Sequence, residues 1–113
     1  MKTIFNFGYL LDARVTEQIT QALGPHTIAN VQLQLVPNRP DSESVVEACR
    51  RAVGIFGWPD YVIPPRLPIP AIFADRFFSQ ASDDFPPVIS YVPIIRLVQI
   101  KAAPPVYIYG GIE

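Results

Sequence analysis

The sequence has very little of the chemistry that metal centres and disulfides require. It contains one cysteine, Cys49, and one histidine, His26. A single cysteine excludes an internal disulfide and a cysteine-based zinc site, and a single histidine cannot assemble a histidine-based metal centre. Cys49 sits in an apolar stretch, so we predict a buried core thiol rather than a nucleophile. We therefore expect no metal.

Charge is also scarce, at 17% of residues against about a quarter in an average soluble domain. Nine basic and ten acidic residues give a formal net charge of −1, with no block of like charge. Binding along DNA phosphates needs a clustered basic face, so we expect no DNA partner. Low charge beside 50% hydrophobic residues favours association. We therefore expect another subunit to cover part of the hydrophobic surface.

Several functional signatures are missing as well. No apolar run approaches the roughly 18 residues of a membrane span, and the first residues lack a signal-peptide core. We therefore predict a cytoplasmic protein with no membrane partner. The dinucleotide-binding, P-loop and nucleophile-elbow motifs are absent, and so are His/Asp/Glu clusters with metal-ligand spacing. No cofactor and no standard hydrolase chemistry is expected.

What the sequence does hold is one apolar domain over residues 1–113, interrupted by proline. A chain of 113 residues is long enough for one core and too short for two. Ten of its 13 prolines lie after residue 58, so they bound short elements in the second half.

Apolar periodicity predicts alternating strands and helices. Helices are predicted from Asp12 or Thr16 to Gly24, from Asp41 or Ser42 to Gly57, and from a first turn containing Pro70 to Ala81. The predicted strands cover residues 3–7, 28–35, 60–63, 88–100 (one bent strand, broken at Pro93) and 106–109.

This order predicts an α/β fold with a mostly parallel sheet, helices on both faces and a C-terminal antiparallel strand pair. Ligands of such sheets bind at the carboxyl ends of the strands. Three loops there carry a glycine or an arginine, which suits a phosphate-bearing ligand. They contain Asn6, Phe7, Gly8 and Tyr9; Asn38 and Arg39; and Pro64, Pro65, Arg66 and Leu67.

Each candidate also has a purely structural interpretation. Gly8 either lets a phosphate approach the backbone or only turns the chain. Arg39 and Arg66 either pair with phosphate oxygens or are solvated loop residues. The tyrosines either stack on adenine or pack in a core or a dimer contact. Those in question are Tyr9, Tyr91, Tyr107 and Tyr109.

Short motifs in the same order resemble a small CRISPR-associated family, the Csx-fifteen family of type III systems. Its opening, N-F-S-H-P-L-T-x-E-Q, is similar to Asn6-Phe7 followed by a loop and Thr16-Glu17-Gln18. The later correspondences are Pro64-Pro65 with Leu67, Phe85-Pro86 before an apolar strand, and Pro104-Pro105 before the last strand.

The resemblance implies a CARF-like Rossmann fold and a homodimer, with ligand-driven assembly into a higher oligomer as a further option. It also implies binding of a cyclic oligoadenylate messenger, with cyclic tetra-adenylate as the first candidate. The chain departs from the family where Ser-His-Pro is replaced by Gly8-Tyr9-Leu10. A histidine there would serve as general acid or base, whereas tyrosine, with a pKa near 10, is a poor substitute.

We therefore expect a protein that binds and sequesters the messenger with little or no cleavage, and no catalytic residue is assigned. The expected ligand-binding residues come from the three loops and are Asn6, Phe7, Gly8, Tyr9, Asn38, Arg39, Pro65, Arg66 and Leu67. One alternative is a slow, metal-independent ring nuclease that uses the same site. Another is a non-catalytic interaction module whose C-terminal strands add to a partner's sheet.

Overall fold

The computed structural model describes residues 1–8, 10–81 and 89–113 of the chain. Within these residues three parallel strands alternate with helices, and two antiparallel pairs follow. The strands are β1 (Lys2–Asn6), β2 (His26–Asn30), β3 (Tyr61–Ile63), β4 (Ser79–Ala81), β5 (Ile89–Tyr91), β6 (Ile95–Ala102) and β7 (Pro105–Ile112). The helices are α1 (Ala13–Leu23), α2 (Asp41–Phe56) and α3 (Pro68–Phe77).

β1 is the central strand of the parallel sheet. It pairs with β2 along its whole length and with β3 at its carboxyl end, which gives the order β2-β1-β3. Ile4 and Phe5 are both fully buried, and adjacent residues of a strand point to opposite faces. Both faces of the sheet are therefore covered, as the apolar run of this strand predicts.

Two hydrophobic clusters lie on the two faces of this sheet. Phe5 packs with Cys49 of α2 and Ala74 of α3 on one face. Ile4 packs with Val15 of α1 and Ile95 of β6 on the other. The predicted α/β fold, with a parallel sheet flanked by helices on both faces and a C-terminal antiparallel pair, is confirmed at this level.

α1 begins and ends as its sequence predicts. Of the two predicted caps, Asp12 is the one used, because its side chain accepts a hydrogen bond of 2.9 Å from the Val15 N–H. Val15 and Ile19 form its buried stripe. Gly24 ends the helix with φ at +89°, a backbone conformation that glycine adopts without strain.

The predicted second strand, residues 28–35, is wrong in its extent. β2 covers His26–Asn30 and ends where its neighbour ends. The last ladder bond on this side runs from the Val31 N–H to the Asn6 carbonyl, at 2.9 Å. Beyond this bond no described strand pairs with the chain, although the side chains continue to alternate.

The predicted cap of the second helix is also wrong. The residue before α2 is Pro40, which offers no side-chain cap, and Asp41 is already the first helical residue. Asp41 and Glu43 instead place negative charge in the first turn, where the helix dipole favours it.

The third helix is shorter than its apolar periodicity predicts. It ends at Phe77, and Ala81 lies in β4 rather than on the helix. The cause is tertiary pairing, since the Val92 N–H donates to the Phe78 carbonyl at 3.2 Å and β4 pairs with β5. Pro70 does lie in the first turn, as predicted.

The single bent strand predicted over residues 88–100 is two strands with different partners. β5 pairs with β4, whereas β6 pairs with β7; Val88 lies outside the described residues. Pro93 separates the two strands, and its carbonyl accepts the Val62 N–H at 3.1 Å. The β6–β7 hairpin is thereby attached to the free edge of β3. A cis Ala103–Pro104 bond lies in its turn.

Candidate functional site

The strand order reverses between β1 and β3. The chain leaves β1 toward α1, which covers one face, and leaves β3 toward α3, which covers the other. Neighbouring parallel strands whose connections depart to opposite faces leave a crevice outside their carboxyl ends, where ligands of such folds bind.

A cleft of about 710 Å³ occupies this position. Its walls are the loop after β1, the start of α1, the loop after β3 and one side of the β6–β7 hairpin. Its lining includes the polar and loop residues Gly8, Asp12, Pro65, Arg66, Arg96, Gln99 and Tyr107. A volume of this size is within the range of about 300–1,000 Å³ that is typical of small-molecule sites.

Asn6 holds the loop at the base of the cleft. Its side chain is 1% exposed, and its Oδ1 accepts the Gly8 N–H at 2.9 Å. Its Nδ2 donates to Asn30 Oδ1 at 3.0 Å. The Gly8 N–H is therefore engaged inside the protein, and Asn6 acts as a positioning residue below the cleft wall.

Two arginines and two acids give the cleft its charge. Arg66 comes from the loop after β3, and Arg96 comes from β6. The Arg96 guanidinium donates to the Gly110 carbonyl, with Nη2 at 3.0 Å and Nε at 3.3 Å. Asp12 and Glu113 also line the cleft. The four formal charges cancel, so anion binding depends on where the guanidinium groups point.

Asn38 and Arg39 do not join this site. Neither lines the cleft, and Arg39 forms ion pairs with Glu47 and, at 3.4 Å, with Glu43. Hydrogen bonding to Glu47, the larger contribution, raises the pKa of the Arg39 guanidinium. This arginine is matched by two carboxylates of α2, which leaves little excess positive charge for a phosphate.

The other predicted loop residues divide between cleft and core. Pro65 is buried and lines the cleft beside Arg66. Phe7 is buried in the cluster around Phe5, and the centroids of the two rings are 6.5 Å apart. Leu67 is 59% exposed and lies outside the cleft lining. Tyr9 is outside the described residues.

The tyrosines have distinct places. Tyr107 of β7 lines the cleft. Tyr109 packs into the cluster around Ile4, and its backbone N–H donates to Gln18 Oε1 at 2.9 Å. Tyr91 is 67% exposed on β5. Among the described tyrosines, Tyr107 is therefore the one placed to stack on a ligand in the cleft.

Neither the histidine nor the cysteine contributes to the cleft. His26 lies at the start of β2, with Nδ1 3.2 Å from the Gly24 carbonyl oxygen. Cys49 is fully buried, and burial raises the pKa of its thiol to about 12, as expected of an inert core thiol. Within the ranges that the structure describes, no group of three His, Cys, Asp or Glu side chains could hold a metal ion.

The chain matches no protein-family model, no curated protein and no solved structure. None of the helices in the described residues is long and apolar enough to cross a membrane. The geometry of the cleft and the short sequence motifs therefore carry the functional argument.

Sequence reasoning missed the hairpin wall of the cleft. Arg96 and Gln99 come from β6, whose sequence predicts a strand but not which side of the sheet it covers. The available signal was an arginine and a glutamine in an otherwise apolar run. Their placement depends on two register irregularities, between Ile95 and Leu97 and between Gln99 and Lys101.

Proposed function

We propose that this protein is a CARF-like Rossmann protein that binds and sequesters a cyclic oligoadenylate, with cyclic tetra-adenylate as the first candidate. The observation that carries the proposal is the convergence of the Gly8 loop and the Arg66 loop on one cleft at the strand-order reversal. The resemblance of the sequence to the Csx-fifteen family supplies the ligand class.

The cleft lining includes groups that suit the phosphate and the base of a nucleotide. Arg66 and Arg96 supply guanidinium donors, which match phosphate oxygens in bidentate geometry. Tyr107 supplies an aromatic face, and stacking on a base contributes roughly 1–3 kcal/mol. Gln99 can both donate to and accept from a base edge. Such a set suits an anionic, base-bearing ligand better than a purely apolar one.

Sequestration is favoured over cleavage because the described lining of the cleft holds no histidine, the side chain that most often serves as the base in such a step. Attack of a ribose 2′-OH on its phosphate is accelerated by a positioned proton acceptor, most often histidine. No histidine, lysine or cysteine lines the part of the cleft that the structure describes. The Asp12 carboxylate already accepts the Val15 N–H. The arginines can hold a phosphate but cannot remove a proton from the 2′-OH.

Ligand size implies two subunits. A cleft of about 710 Å³ covers a drug-sized molecule, and a ring of four nucleotides is larger than that. The remainder of the ring would meet a second copy. A two-fold assembly suits it, because the same loops would then reach opposite phosphates of the repeating ligand.

Binding and cleavage are tested together with radiolabelled cyclic tetra-adenylate. We expect a mobility shift at micromolar protein and no linear product over hours. Arg66→Ala should weaken binding about tenfold or more, since a hydrogen bond to a charged group is worth about 1.5–3 kcal/mol. Arg51→Ala is the matched control, because Arg51 is exposed on α2 and outside the cleft lining.

Three results would count against the proposal. No shift with cyclic tri-, tetra- or hexa-adenylate would remove the ligand class. Equal affinity of Arg66→Ala and Arg51→Ala would remove this cleft as the site. Rapid conversion to a product with a cyclic phosphate would replace sequestration by ring nuclease activity.

A further inference from the structure

The outer edge of the parallel sheet lies at β2. Among the described residues, β2 pairs with β1 on one side and with no strand on the other. In the described chain, the backbone groups of residues 32–35 make no backbone hydrogen bond, and the next bond is from the Arg39 N–H to the Val36 carbonyl. A row of unpaired backbone groups at a sheet edge is a template for another strand.

The chain beyond β2 keeps the side-chain alternation of a strand. Ala29, Val31 and Leu33 all pack in the cluster around Phe5, so every second side chain stays on one face. Gln32 and Gln34 are exposed between them. Residues 31–35 thus present a strand pattern that lacks only a hydrogen-bonding neighbour.

This edge lacks the usual protection against pairing. Proteins blunt exposed edges with charged residues, proline or bulges. From Thr27 to Val36 there is no charged residue, no proline and no glycine. Leu35 and Val36 are 37% and 43% exposed. The edge is therefore neutral and partly apolar.

The segment is complementary to itself. In an antiparallel pair centred on Leu33, Val31 lies opposite Leu35 of the second copy and Gln32 lies opposite its Gln34. Apolar residues then face apolar residues on one side of the sheet, and amides face amides on the other. A two-fold interface requires this kind of self-matching. A net charge of −1 adds little repulsion between copies.

We infer that residues 31–35 form the contact between two copies of this chain, pairing antiparallel across a two-fold axis. The paired segments then link the two sheets just beyond the ends of β2, since Asn30 falls opposite Val36 in this register. The contact needs no ligand, so it stands or falls independently of the proposed messenger binding.

Sedimentation of the full chain without ligand tests the inference. We expect a concentration-dependent dimer and slowed amide exchange at residues 32–35 as the dimer fills. The double variant Gln32→Lys/Gln34→Lys places like charges opposite each other and should weaken the dimer at least tenfold. Both side chains are exposed, so the fold should be kept. Gln21→Lys/Ala22→Lys adds the same charge on exposed positions of α1 and should dimerise like the parent.

Mixing two oppositely charged variants tests whether pairing can be restored. Gln32→Glu/Gln34→Glu should be monomeric alone but should form a heterodimer with the lysine variant. A parent chain that stays monomeric at hundreds of micromolar would overturn the inference. So would a lysine variant that dimerises as tightly as the parent, because another surface would then form the contact. Failure of the opposite charges to pair would also overturn it.

Discussion

Replacing the buried amide of Asn6 by a carboxyl tests how the cleft loop is held. Asn6 is 1% exposed, accepts the Gly8 N–H and donates to Asn30 Oδ1. In Asn6→Asp the acceptor remains, but the donor is lost and an oxygen faces the Asn30 oxygen. Because this position is buried, we expect the new carboxylate to be poorly solvated. Such a buried charge costs about 3–5 kcal/mol.

The cost depends on pH with a defined sign. Burial raises the pKa of the introduced carboxyl above its unfolded value of about 3.9. The folded state then holds a proton that the unfolded state releases, so stability falls as pH rises from that value toward the folded pKa. Below the unfolded pKa both states are protonated and the ionisation penalty vanishes. The protonated carboxyl can also donate to Asn30.

Urea unfolding, followed by circular dichroism at about pH 4 and pH 7, measures the free energy of unfolding of the variant and its change with pH. Asn38→Asp is the matched control, since Asn38 is exposed and the same change there should leave stability within about 0.5 kcal/mol. At about 4 °C per kcal/mol, the variant should melt more than 10 °C below the control at pH 7. If the two variants have equal stability at pH 7, or if the gap does not shrink on acidification, the proposed role of Asn6 is refuted.

Two further predictions follow from buried or crowded groups. Burial raises the pKa of the Cys49 thiol to about 12. Near pH 8 this thiol should react with a disulfide reagent only as fast as the protein opens, and it should react fully in denaturing urea. Rapid reaction of the folded protein would contradict the burial of Cys49. In Gly110→Ala the new Cβ would lie 2.6 Å from Val98 Cγ2 and 3.1 Å from the Arg96 carbonyl oxygen, so unfolding free energy should fall by about 1–3 kcal/mol. Gly54→Ala is the matched control: nothing lies within 4 Å of that position in α2, and the substitution should stabilise by about 0.5–1 kcal/mol. A Gly110→Ala protein as stable as the parent would show that the hairpin is looser than described.

The parts of the fold that follow from local pattern are predictable from the sequence. The i, i+4 spacing of Val15 and Ile19 and the stop at Gly24 predict α1 because these signals lie within one helix. β1 is predictable because an uninterrupted apolar run suits a strand covered on both faces. The position of the Gly8 and Arg66 loops is also predictable, because each follows a parallel strand and the carboxyl ends of such strands lie at one edge of the sheet.

The parts that failed depend on distant partners. Residues 31–35 have a strand pattern, but the strand ends at Asn30 because β1 offers no further backbone. Ala81 fits the helical spacing of α3, but pairing with β5 takes it into a strand. The side of the cleft formed by the β6–β7 hairpin was missed for the same reason, since nothing local to Arg96 specifies that it lines the same cleft as the start of α1.

The scarcity of charge decides how this cleft can select a ligand. Two arginines and two acids cancel around it, so long-range attraction cannot distinguish a phosphate from other small anions. Under the proposed function, selection must therefore come from short, directional contacts. The Gly110 carbonyl holds the Arg96 guanidinium, and the Val15 N–H holds the Asp12 carboxylate, so these groups lose less freedom on binding. One cleft offers only a few such contacts. A ligand whose phosphates and bases repeat can make the same few contacts in two copies of the cleft. A cyclic oligonucleotide bound between two subunits has that property, whereas a single nucleotide does not.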